Sequence, residues 1–136
     1  MTTVRDIMTP NADYVDGSTT VLEVAKKLAA GDYGSLPICD GDRLQGMITD
    51  RDIVVRVLAE GKDPASTKVG DLVQGEVVTI GADDSVEEAM QTMSKHQVRR
   101  LPVIDGTKLV GMLAQADLAR SGDDSGVGQT VEDISQ

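Results

Sequence analysis

The sequence predicts a mixed α/β (α+β) fold built from two β-α-β-β-α repeats packed about a pseudo-two-fold axis. Three observations carry this expectation. Sliding the chain by 65 residues aligns "LPICDGDRLQGMITDRDI" (36–53) with "LPVIDGTKLVGMLAQADL" (101–118) without a gap, and eight of these 18 positions are identical. Upstream, Val21, Val24, Ala25 and Leu28 meet Val86, Ala89, Met90 and Met93 in the same register, and each set has the i, i+3, i+4, i+7 spacing of a helix's apolar stripe. In both copies Asp-Gly joins two short apolar runs, a strong hairpin signal.

The elements of each copy follow in order. A short leading segment (4–8, or 69–73) precedes an extended stretch near 12–15, or 77–80. The polar runs "DGSTT" and "ADDS" then offer an N-cap and favourable charge to the first helix. The hairpin comes next, as "SLPIC" and "LQGMIT" around "DGDR", or "RLPVI" and "LVGML" around "DGTK". A closing helix starts near Asp50, or near Gln115. The resulting organisation is a first repeat over 1–60, a linker "GKDPASTK" over 61–68, a second repeat over 69–120 and an acidic tail over 121–136 that reads as a frayed end. A unit of about 55 residues with a small sheet buries too little surface to stand alone, so the copies are expected to pack face to face and leave two related clefts.

Composition narrows the function. The 136 residues carry 13 Lys and Arg against 23 Asp and Glu, a formal charge of −10. That balance argues against nucleic acid, whose phosphates call for a basic face, and against an anionic membrane surface. With two tyrosines and no Phe or Trp the core must be aliphatic, and a flat ligand would have to sit between aliphatic side chains. No stretch approaches the length of a membrane span, and "MTTVRDIM" does not read as a signal peptide. One cysteine, Cys39, makes no internal disulfide; a cytoplasmic protein is the simplest reading. Cys39 and the single histidine, His96, make no Cys/His metal set, and no nucleophile–base pair emerges, so neither a metal site nor an enzyme is expected.

The doubled "LPV-x-D-G" and "G-x-x-[ST]-x-x-D" pattern, spanning roughly residues 4–120, resembles the tandem CBS-domain pair, or Bateman module, and in particular the small stand-alone bacterial CBS-pair proteins. The resemblance implies a regulatory module that binds an adenine nucleotide or adenosyl ligand in the inter-repeat clefts, with AMP, ADP and ATP as the first candidates and NAD or S-adenosylmethionine beside them. It also implies a homodimer that signals to an unidentified target protein. Some members of the family bind no nucleotide, and there the pair acts as a structural or interaction module.

The same resemblance assigns site residues. Asp52 and Asp117 match the acid that holds ribose hydroxyls, and Thr49 matches the hydroxyl that contacts phosphate. The chemistry is sound, because a carboxylate accepts two hydrogen bonds from a ribose diol and a hydroxyl at a helix start sits beside free amides. The spacing "T-x-x-D" is also that of a capping box, and one residue can do both jobs. Ala114 replaces the hydroxyl in the second copy, leaving Asp117 without its capping partner. Arg99 and Arg100, before the second Leu-Pro, match positions that reach phosphate in the family, where the first copy has Gly34 and Ser35. Alternation along a strand lets only one of the two arginines face a given cleft, and Arg100 is the choice. Tyr33, Gly34, Leu36 and Ile48, or Val98, Leu101 and Leu113, are candidates for an adenine pocket, with plain core as the alternative for each apolar residue. Arg51 and Lys62 read as surface or linker charges.

Overall fold

The computed structural model describes residues 2–73 and 75–120. In chain order the elements are α1 (Val4–Ile7), β1 (Thr9–Pro10), β2 (Val15–Asp16), α2 (Val21–Gly31), β3 (Ser35–Asp40), β4 (Arg43–Thr49) and α3 (Asp50–Ile53), which runs into π-helical turns over Val54–Leu58. A 3₁₀ turn (Val69–Leu72), β5 (Ile80–Gly81), α4 (Val86–His96), β6 (Arg100–Asp105), β7 (Lys108–Ala114) and α5 (Gln115–Arg120) complete the described chain. The predicted tail over 121–136 lies outside the described residues.

The mixed α/β architecture is that predicted, and the reasons are local. Thr20 and Ser85 cap α2 and α4 by accepting the Glu23 and Glu88 amides, and the stripes read from the sequence face inward, with Val21, Val24 and Leu28 buried on α2 and Val86, Ala89, Met90 and Met93 on α4. The two hairpins turn through Gly41 and Gly106, whose φ values of +63° and +67° suit glycine at the first loop position. Both hairpins shift register at equivalent places, between Ile38 and Cys39 and between Val103 and Ile104. The duplication thus extends to a bulge, a feature that stays with a fold because it re-aims the strand.

The described residues form two compact units, one within 13–77 and the other within 1–12 together with the chain from 78 to 120. In the first, β2 runs parallel to β3, and β3 antiparallel to β4. In the second, β5 runs parallel to β6, β6 antiparallel to β7, and β1 adds to β7 with Thr9 opposite Met112. Each unit has its own aliphatic core: Val15, Val21, Val24, Leu36, Ile38, Ile48, Val57 and Val69 are buried together in one, and Val4, Ile80, Ala89, Met93, Leu101, Val103, Leu113 and Leu118 in the other. Tyr33 packs at the edge of the first, and no other ring is needed.

Neither unit coincides with a sequence repeat, because the leading segments are exchanged. The Val4 and Arg5 amides donate to the Asp84 and Ala82 carbonyls at 2.9 and 2.8 Å, and Thr3 bridges Ser85. At the equivalent positions the Val69 and Gly70 amides donate to the Thr19 and Gly17 carbonyls, both at 2.9 Å, and Lys68 bridges Thr20. Val4 and Val69 are each fully buried in the core formed mainly by the other repeat. A repeat's own sheet and helices therefore do not close its core.

Candidate functional site

In the first unit, two segments far apart in sequence meet at one end of the hairpin. Ser35 starts β3 and pairs in register with Thr49 at the end of β4, while the Asp50 amide donates to the Gly34 carbonyl at 2.9 Å. Gly34 leaves room for this approach, since a Cβ there would come within 3.3 Å of the Asp50 carboxylate. Thr49 is the N-cap of α3, and its hydroxyl oxygen accepts the Asp52 amide at 3.0 Å. Asp52 Oδ2 accepts the Thr49 amide at 3.0 Å, so the capping box read from the sequence is complete. Asp52 is half-buried, and its Oδ1 has no hydrogen-bond partner among the described residues.

The second unit repeats the arrangement with different chemistry. Arg100 starts β6 opposite Ala114, and the Gln115 amide donates to the Arg99 carbonyl at 2.9 Å. Arg99 is exposed and Arg100 half-buried, in keeping with their alternation along the chain. Asp117 is not left without a capping partner, because its Oδ2 accepts the Ala114 amide at 2.7 Å. Ala114 cannot return the bond from a side chain, so half of the box survives. Asp117 is 3% exposed, and its Oδ1 takes the Arg120 guanidinium. Arg120 was missing from the candidates; the signal available was its position three residues after an acid on one helix face.

Several candidates belong to the cores. Ile48 and Leu113 are 1% and 0% exposed, and Leu36 and Leu101 sit opposite them in the hairpins, so these side chains have no surface to offer a ligand; their backbones line the strand ends. Val98 is half-buried against the second core, and its amide donates to Met93 at 3.1 Å. Tyr33 points its hydroxyl at Asp13, 3.3 Å away. Arg51 is exposed, and Lys62 pairs with Glu60 at 3.3 Å. Cys39 is buried, and that burial, reinforced by Asp42, pushes its thiol above its ordinary value. A shallow depression at the opposite end of β3 from Ser35 is lined by Asp16, Ser18, Asp40 and Gln45, and its two carboxylates disfavour an anion there.

A duplicated β-α-β-β-α chain that brings a pre-Leu-Pro segment against a capped acid in both copies defines a tandem-repeat module with two equivalent strand ends. The chain belongs to the CBS-domain family: the family model of the CBS domain matches residues 4–59 and 69–124. It is 45% identical over 121 residues to Hypoxic response protein 1 of Mycobacterium tuberculosis, covering 88% of this chain and 85% of that one. It is 39% identical over 119 residues to the CBS domain-containing protein YhcV of Bacillus subtilis, covering 88% and 84%. Among solved structures, Hypoxic Response Protein I with two coordinated zinc ions superposes with a TM-score of 0.81 at 44% identity over 89% of this chain and 99% of that one. CBSX2 in complex with AMP gives 0.77 at 27% identity, over 90% and 97%. The CBS pair of protein MJ0100 with 5′-methylthioadenosine and S-adenosyl-L-methionine gives 0.74 at 29%, over 88% and 98%. CBS pairs are regulatory folds.

Among the described residues of this chain no three His, Cys, Asp or Glu side chains converge. His96 is exposed at the end of α4, and Cys39 is buried in the other unit. Among the described residues no helix is long and apolar enough to cross a membrane.

Proposed function

We propose that this chain is a non-enzymatic, cytoplasmic regulatory module that binds an adenine nucleotide or adenosyl ligand and signals through a homodimer to a target protein. The observation that carries the reading is Asp52: a half-buried carboxylate with one oxygen fixed by its own capping box and the other without a hydrogen-bond partner among the described residues. A ribose diol is the kind of donor that fits such an acceptor. Gly34 and Ser35 lie near it through the Asp50 and Thr49 pairings, so backbone groups of the strand ends flank the carboxylate. In the second unit Arg99 and Arg100 stand where Gly34 and Ser35 stand in the first, and supply positive charge for phosphate in a chain that is acidic as a whole. AMP, methylthioadenosine and S-adenosylmethionine in related CBS pairs support the ligand class.

Dimerisation is proposed through the closing helix of the first repeat, where Val54 and Leu58 are 56% and 54% exposed and Val55 lies between them. A second reading, a ligand-free interaction module, is favoured by the capping contacts of both acids, which alone would account for their presence.

A thermal-shift panel of AMP, ADP, ATP, NAD and S-adenosylmethionine separates the two. A ligand at about 100 times its dissociation constant stabilises the folded state by about 2.7 kcal/mol. A shift with one or more of them supports the sensor; no shift with any at millimolar concentration leaves the interaction module.

A further inference from the structure

The two copies of the motif differ in what the acid is free to do. Among the described residues Asp52 keeps an uncommitted oxygen, whereas both oxygens of Asp117 are engaged, Oδ2 by the Ala114 amide and Oδ1 by Arg120. The difference has a sequence origin: the position equivalent to Arg120 in the first repeat, 65 residues earlier, is Val55, which has no charge to offer. The accessibilities match. Asp52 is half-buried, while Asp117 is buried beneath a guanidinium whose own side chain remains 70% exposed.

We propose that Arg120 is a latch on the second ligand position, holding the Asp117 carboxylate so that a ribose must displace the guanidinium before it can bind. The proposal rests on the adenosine-binding reading above. It makes the first position the stronger one for a ribose and the second conditional on release of Arg120. An ion pair with one partner in solvent is weak enough to open, because its charge is screened and its long side chain gains freedom when released. It also blocks the one oxygen that the Ala114 amide leaves open, since Arg120 meets Asp117 at Oδ1. Arg120 sits on the same helix as the carboxylate it holds, whereas Arg99 and Arg100 precede the second Leu-Pro, with Arg100 at the start of β6 opposite Ala114.

The test is calorimetric titration of AMP into four proteins: unaltered, Asp52→Asn, and Asp52→Asn combined with either Arg120→Val or Arg120→Lys. Removing Asp52 isolates the second position. The latch requires the Arg120→Val double variant to bind AMP roughly threefold more tightly than Asp52→Asn, the scale of an ion pair with one exposed partner. Arg120→Lys, which keeps the charge, should leave the position closed. Equal or weaker binding by the Arg120→Val double variant overturns the latch, and weaker binding would make Arg120 a phosphate ligand. If the unaltered protein binds AMP but none of the Asp52 variants does, the latch is overturned and the nucleotide reading stands. If the unaltered protein binds no AMP, both fall. Valine is tolerated at the equivalent position of the first repeat; should Arg120→Val fail to fold, Arg120→Gln carries the same comparison.

Discussion

Thr49 and Asp52 hold each other's backbone amides: the Asp52 amide donates to the Thr49 hydroxyl oxygen and the Thr49 amide to the Asp52 carboxylate, both at 3.0 Å. On the proposed reading capping and ligand binding share one pair of side chains, and substitutions can pull them apart. Thr49→Ala loses one half of the box and should cost about 1 kcal/mol of stability. Asp52→Asn keeps a side-chain oxygen for the Thr49 amide, so its melting temperature should stay close to that of the unaltered protein. It nevertheless removes the charge and one of two equivalent acceptor oxygens, and titrated affinity for the adenosine ligand should fall on the order of tenfold or more. Unchanged affinity in Asp52→Asn would remove Asp52 from the ligand site and leave it as a cap.

The second repeat invites the reverse experiment. Asp117 already accepts the Ala114 amide, at 2.7 Å, so only the hydroxyl half of the box is missing. Ala114→Thr should complete it and stabilise the protein by about 0.5–1 kcal/mol, and threonine suits the end of a strand. Thermal or denaturant unfolding reads this directly. A loss of stability would mean that the half-buried Ala114 site has no room for the larger side chain. In a ligand titration of the same variant, the added hydroxyl should strengthen binding at this position if phosphate is contacted there.

Much of this was legible in the sequence, and the reasons are physical. The Asp-Gly turns, the helix stripes and the capping signals are local features, and each is determined within a few residues; the hairpins, α2 and α4 accordingly fall where the pattern puts them. The capping role of Thr49 and Asp52 was visible in the T-x-x-D spacing, beside the ligand role that the resemblance implies. The exchange of leading segments was not visible. Residues 4–8 and 69–73 are equivalent, and a one-dimensional alignment carries no information about which copy's helix each one docks against. For Ile48 and Leu113 the sequence left core and pocket both open, because alternation along a strand assigns side chains to faces only once the register is known. Arg120 escaped because the aligned block ends at Leu118, two residues short of the difference that matters.

The point of exchange also makes an asymmetric stability test. Gly70 lies against Gly17: a Cβ on Gly70 would fall 2.8 Å from the Gly17 carbonyl oxygen and 3.0 Å from its Cα, whereas a Cβ on Gly17 would meet its nearest atom, the Gly70 Cα, at 3.4 Å. The first contact is with backbone that is itself hydrogen-bonded, since the Gly70 amide donates to that same carbonyl. Gly70→Ala must therefore push the leading segment off its partner, with a cost of about 1–3 kcal/mol typical of overpacking. Gly17→Ala should cost distinctly less. Equal unfolding midpoints for the two variants would contradict the close approach.

Acid sensitivity should be traceable to individual turns. Asp16 is held below its ordinary value of 3.8 chiefly by the Ser18 hydroxyl, helped by the Ser18 amide, which donates at 2.8 Å. Asp6 is lowered from the same value by the Thr3 amide, at 3.0 Å, and then by the Thr3 hydroxyl. A carboxyl whose value is lower in the folded than in the unfolded chain binds protons more readily when unfolded. Its stabilising contribution is therefore complete above 3.8 and is lost as the pH falls below that value through the folded one. Both groups are exposed, so the effect should be small and should shrink further in high salt. Melting curves of Asp16→Asn and the unaltered protein should differ most at neutral pH and converge on acidification below 3.8. A difference that persisted unchanged into acid would show that Asp16 acts through packing of its turn instead of through its charge.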